Sequence, residues 1–129
     1  MKVSNKAIDL GLVKRAKAGD YQAFDLLVLK YQSRLISTAF KFVKDMQIAE
    51  DLVQESFIKS YNSLSSFRED SSFYTWVYRI TVNTSKNFLV SKKRKNELLS
   101  SDMSEDLTYE IEYKDTDTPE DLLQASQLK

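Results

Sequence analysis

The residues best suited to chemistry lie together in one stretch of the chain. Phe67-Arg68-Glu69-Asp70-Ser71-Ser72-Phe73-Tyr74-Thr75-Trp76-Val77-Tyr78-Arg79-Ile80 holds five aromatic rings and two arginines around a polar turn. The segment continues through Thr81-Val82-Asn83-Thr84-Ser85-Lys86-Asn87 to the basic cluster Lys92-Lys93-Arg94-Lys95. Flat rings that can stack on unpaired bases, amides that can hydrogen-bond a base edge and cations that can bind phosphate therefore follow one another. Stacking of this kind tolerates any base and contributes about 1–3 kcal/mol per base. A single ring at helical spacing reads as readily as core. The grouping carries more weight than any one ring.

Such residues need elements to position them. With two glycines, one proline, no repeat and no alternating strand pattern, helices are favoured throughout. The expected fold is all-α, a compact bundle of about four helices with an acidic, largely flexible C-terminal tail. A first helix is predicted over about 7–18, with Leu12, Val13 and Ala16 inward; it stops at Gly19, and Asp20 is suited to cap the next. From Tyr21 to about Val43, Phe24, Leu27, Val28, Tyr31, Leu35, Ala39 and Phe42 recur at three and four and trace the face of a core helix. A third helix, about Gln47 to Tyr61, buries Ile48, Leu52, Val53 and Phe57 and groups Asp51, Gln54, Glu55 and Ile58 on another face.

After a turn over 62–71, Asp70 or Ser71 can cap a long helix from about Ser72 to Lys95, about 36 Å in length. Arg79, Asn83, Lys86 and Asn87 follow at intervals of four, three and one and share one face of it. Either asparagine alone reads as a solvated helix position; beside Arg79 and Lys86 the pair points to base or backbone contact. Lys92, Lys93, Arg94 and Lys95 suit phosphate steering, although a basic helix end also complements the helix dipole.

Composition narrows the function classes. At 129 residues and 42% hydrophobic content, the chain can hold one domain, read as residues 1–99, followed by a tail over 100–129. Cysteine and histidine are both absent, which removes disulfides, thiol nucleophiles, cysteine or histidine metal ligands and histidine acid-base catalysis. No catalytic residue, metal or cofactor is expected; Glu69-Asp70 is a loop pair, and Asp51 with Glu55 suits docking. No early apolar run resembles a signal peptide, and none approaches the roughly 20 residues of a membrane span. The expectation is a soluble, cytoplasmic protein.

The formal net charge of zero conceals an asymmetry: residues 1–99 carry 17 Lys+Arg against 10 Asp+Glu, and residues 100–129 carry 2 against 9. A basic domain is thus joined to an acidic tail, which could mask the basic surface. Residues 100–117 read as a linker, and Thr118-Pro119-Glu120 reads as a helix start.

Asp51-Leu52-Val53-Gln54-Glu55-Ser56-Phe57-Ile58-Lys59-Ser60-Tyr61, then Phe67-Arg68 and the run from Asp70 to Asn87, resemble region 2 of an extracytoplasmic-function sigma factor of the envelope-stress type, within the sigma-70 family. The resemblance spans about residues 9–95. It implies a transcription initiation factor, not an enzyme. Asp51, Gln54 and Glu55, beside Ile58, stand at positions that dock on a coiled coil of the largest subunit of core RNA polymerase.

The loop from Phe67 to Ser72, which includes Arg68 and Ser71, would form a pocket for an unpaired base from the non-template strand of the promoter −10 element. Phe67, Phe73, Tyr74 and Trp76 would line that pocket or support it from the core. Phe73 and Trp76 are expected to be partly structural, Phe67 less so. Asn83 and Asn87 match positions associated with reading the upstream part of the element. An anti-sigma factor is an implied regulator, with no direct membrane insertion by this chain.

Two departures stand out against the resemblance. Glu69 replaces a small residue, often glycine. The family's helix-turn-helix for the −35 element is missing, and residues 119–129 read as its first helix cut short. The chain is accordingly expected to be a fragment that does not direct transcription from a two-element promoter unaided. The alternative is a helical protein-interaction module, anti-sigma-binding or adaptor, with no direct DNA role. Salt separates the two, because counterion release makes strand affinity fall with a slope of about −0.7 per neutralised phosphate.

Overall fold

Local capping chemistry sets the boundaries of four helices in the computed structural model, which describes residues 4–99. These are α1 (Asn5–Lys17), α2 (Tyr21–Val43), α3 (Met46–Asn62) and α4 (Phe73–Leu99), with a 3₁₀ turn at Leu64–Ser66. The all-α, four-helix expectation therefore holds for the described residues. The expected acidic linker and the helix start at Thr118-Pro119-Glu120 lie outside them. No helix among the described residues is long and apolar enough to cross a membrane.

The joint between α1 and α2 forms where glycine and aspartate were expected to make it. Gly19 takes φ +103°, a conformation open to glycine because it has no Cβ. The Asp20 carboxylate accepts from the N–H groups of Gln22 (3.1 Å) and Ala23 (3.3 Å) and pairs with Arg15 at 2.7 Å. The Arg15 guanidinium, chiefly through its hydrogen bond, holds the Asp20 carboxyl below its ordinary pKa. At the other end of α2, Lys44 adopts the left-handed conformation (φ 59°) and donates its N–H to the Phe40 carbonyl. Asp45 then caps α3 by accepting from the Ile48 N–H at 3.0 Å.

The cap of α4 differs from expectation. Neither Asp70 nor Ser71 serves; the Ser72 hydroxyl accepts from the Thr75 N–H (3.1 Å), and its carbonyl accepts from the Trp76 N–H. Ser72 directly precedes the first helical residue, Phe73, and its side chain reaches the N–H of the third, while Glu69 takes φ +65° in the turn before it. Ser72 also donates to the Thr75 hydroxyl, which is buried.

The core gathers around α2, which packs against each of the other helices. Phe24, Leu27, Tyr31, Leu35 and Ala39 are all buried. Phe24 meets Phe57, Tyr61 and Phe73 edge-on, with ring centroids 6.3, 5.1 and 6.1 Å away, an arrangement that aromatic quadrupoles favour. In α3 and α4, Ser56, Ser60, Thr81 and Ser85 are buried as well. Each hydroxyl donates to a carbonyl three or four residues back, at 2.7–3.0 Å, so these small side chains sit in the core with their polar atoms satisfied.

α1 is held on α2 by a polar clasp. The Asp9 carboxylate, 5% exposed, accepts from the Tyr31 hydroxyl and from Lys30 at 2.6 Å, and Lys30 also donates to the Asn5 side chain. A carboxylate at such depth is tolerated because it is paired and hydrogen-bonded. Burial, reinforced by Asp9, pushes the Tyr31 hydroxyl well above the usual phenol range.

Candidate nucleic-acid interface

The loop that precedes α4 is anchored inward at its first residue. Leu64 and Phe67 are each 4% exposed, and the Phe67 N–H donates to the Leu64 carbonyl at 3.1 Å. The Phe67 ring lies 6.2 Å from Phe73, edge-on, and 5.0 Å from Trp76. This corrects the expectation for Phe67, which is core, while Phe73 is buried and Trp76 half-buried against the core, the partly structural place expected of both. The physical reason is the 3₁₀ turn, which brings the chain back against the start of α4 so that Phe67 enters the core before the loop departs. Arg68, Glu69 and Asp70 are exposed, and Ser71 and Ser72 half-buried. Glu69 occupies left-handed backbone, which accounts physically for a glycine preference there.

Helices α1 and α2 also contribute to this region, and the sequence reading did not anticipate it. Lys17, at the end of α1, donates to the Phe67 carbonyl at 2.9 Å, with its ammonium 5.7 Å from the ring centroid. Arg34, on α2, places its guanidinium 4.2 Å from the centroid of the Tyr74 ring. Tyr74 is half-buried and also packs against Tyr31 (5.0 Å) and Tyr78 (6.0 Å). Burial raises its hydroxyl pKa, and Arg34 opposes that rise.

Beyond the loop, α4 has two sides. Thr81, Val82, Thr84, Ser85 and Leu89 are buried, whereas Arg79, Asn83 and Asn87 are exposed and Lys86 half-buried. The four residues expected to share a face therefore lie along the side away from the core. Farther on, Lys92, Arg94 and Lys95 are exposed and Lys93 half-buried.

Asp51, Gln54, Glu55 and Ile58 are all exposed on α3, Ile58 at 62%. Glu55 pairs with Lys59 at 2.9 Å, Gln47 donates to Asp51 at 3.3 Å, and Lys59 reaches the Thr84 hydroxyl of α4. Ile58 also lines two cavities between α2 and α3. One, of about 260 Å³, is lined by Tyr21, Phe24 and Tyr61 among others; the second, of about 590 Å³, includes Val28, Ile36, Val53 and Gln54. The acidic face thus borders an apolar groove whose far wall is α2. Only the pairing of the two helices reveals that wall.

Comparison with known proteins places this arrangement. The Sigma-70 region 2 family model matches residues 27–95. The chain is 54% identical over 87 residues to the RNA polymerase sigma-H factor of Pseudomonas aeruginosa, covering 67% of this chain but 45% of that protein. It is 41% identical over 129 residues to the ECF RNA polymerase sigma-E factor of Haemophilus influenzae, covering 98% of this chain and 68% of that protein. The chain thus spans under half the length of the first relative and about two thirds of the second. Among solved structures, an engineered region 2 of sigmaE in complex with GTAAAA superposes with a TM-score of 0.66 at 44% identity, covering 74% of this chain and 99% of that one. The chain belongs to the sigma-70 family as an extracytoplasmic-function sigma factor, with residues 27–95 matching region 2.

Proposed function

We propose that this chain is a non-enzymatic transcription initiation factor that acts in the cytoplasm. It binds core RNA polymerase through α3 and captures unpaired bases of the −10 non-template strand at the loop and the front half of α4. The principal support is its likeness to a sigmaE region 2 whose solved form is a complex with GTAAAA. Capture of a base out of a duplex costs a few kcal/mol, which pocket contacts and stacking must offset. The exposed loop residues Arg68 and Ser71, the half-buried rings of Tyr74 and Trp76, and the strip from Arg79 through Asn83 and Lys86 to Asn87 supply those contacts. Phe67 and Phe73 act from beneath, by holding the loop and the start of α4. Lys92, Lys93 and Arg94 steer phosphate.

On the other side, Asp51, Gln54 and Glu55 meet a basic coiled coil of the polymerase's largest subunit, and Ile58 with the α2–α3 groove adds apolar contact. The same groove suits an anti-sigma competitor. Residues 1–99 form the functional unit. Anisotropy of a labelled −10 strand, followed on adding core polymerase with and without this chain, tests the joint activity. Retention of the strand by polymerase only when the chain is present is the expected result; the same signal without it would contradict the proposal.

A further inference from the structure

Building on the promoter-strand reading, we propose that Lys17 is a positioning residue for strand recognition, fixing from α1 the point at which the recognition loop leaves the core. Its Nζ donates to the Phe67 carbonyl across fifty residues of sequence, and its charge lies 5.7 Å from the ring of the same residue. Phe67 is the loop's hinge. Its N–H is bound to Leu64 and its ring is packed on Phe73 and Trp76, so with Lys17 on the carbonyl its donor, side chain and acceptor are all held. The next three residues are exposed, and Glu69 among them takes positive φ. The direction in which Arg68 to Ser72 depart is thus set where the lysine grips.

A charge-assisted bond to a backbone carbonyl is stronger than a neutral one, and a loop ordered beforehand spares binding the entropy of ordering it. Lys17 also lies outside residues 27–95 matched by the region 2 family model. α1 would therefore contribute to base selection without meeting a base. The competing role is direct phosphate contact, because an ammonium has three donors and this bond uses one.

Two variants of the 129-residue chain, Lys17→Met and Lys17→Arg, decide the matter. Trp76 is the chain's sole tryptophan and packs against Phe67, so acrylamide quenching of its fluorescence reports the loop root in the absence of DNA. Lys17→Met should increase quenching and weaken binding to a GTAAAA strand about tenfold, leaving a scrambled strand and the salt slope unchanged; Lys17→Arg should restore most of both. Wild-type quenching together with a wild-type strand ratio in Lys17→Met overturns the inference. Equal losses on both strands, with the salt slope shallower by about 0.7, also overturn it, by making Lys17 a phosphate contact. A wild-type chain that does not distinguish the strands refutes the promoter-strand reading instead, and quenching then still decides whether Lys17 holds the loop.

Discussion

The Arg34 guanidinium lies 4.2 Å from the centroid of the Tyr74 ring, so α2 caps an aromatic at the mouth of the proposed strand site. Such contacts contribute about 0.5–1 kcal/mol where solvent reaches them, and Arg34 is exposed. Arg34→Ala should lower stability by that amount. It should also raise the Tyr74 hydroxyl pKa further, since Arg34 opposes the effect of burial. Denaturant melts and phenolate absorbance titration check the two effects.

Alkaline stability follows from Tyr31 and Tyr74. Both have folded pKa values raised, chiefly by burial. Above about pH 10, the ordinary tyrosine value, the unfolded chain has released protons that the folded one keeps. Stability is thus fully present below about pH 10 and is lost as pH rises toward the folded values. Thermal melts from pH 8 to 11 should be level and then fall, and Tyr31→Phe should make the fall shallower.

Among the described residues, two that are not glycine occupy left-handed backbone, Lys44 at φ 59° and Glu69 at φ 65°. Glycine at either site should stabilise the fold by about 0.5–1 kcal/mol, the relief of a Cβ clash less the freedom gained by the unfolded chain. Only Glu69→Gly also removes a carboxylate from the loop, so it alone should tighten strand binding. Chemical denaturation and strand titration of both variants separate strain from charge.

The helices were legible because periodicity and capping are local. The Tyr21–Val43 span and the Gly19-Asp20 joint follow from apolar spacing and from what glycine and aspartate do to backbone. The burial of Phe67 was not legible, since it depends on a 3₁₀ turn returning the chain to α4. Nor were Lys17 on Phe67 or Arg34 on Tyr74, contacts spanning forty residues or more. The buried carboxylate of Asp9 left no local sign, because its partners Lys30 and Tyr31 meet it only when α1 packs on α2. In the candidate site, the exposed strip of Arg79, Asn83 and Asn87 followed from spacing on one helix; the loop's supports came from three.

Asn83 and Asn87 are exposed on α4, so truncating either should leave the fold intact. Asn83→Ala and Asn87→Ala should each weaken the specific −10 strand by about 1–3 kcal/mol and spare polymerase binding. Equal losses on a scrambled strand would deny these residues a role in base reading.

Glu55 is about half-exposed and pairs with Lys59 on its own helix, a bond of small stabilising value. Glu55→Lys should keep the helical circular dichroism signal yet abolish docking on core polymerase through charge reversal. Unchanged polymerase affinity would mean that docking uses another face.

The central claim is tested most directly by fluorescence anisotropy of labelled single strands, one containing GTAAAA and one scrambled, titrated with the 129-residue chain at several salt concentrations. The account predicts tighter binding of the GTAAAA strand and an affinity that falls with salt, by about 0.7 logarithmic units per tenfold salt for each phosphate neutralised. Equal affinity for the two strands across the salt series would contradict it.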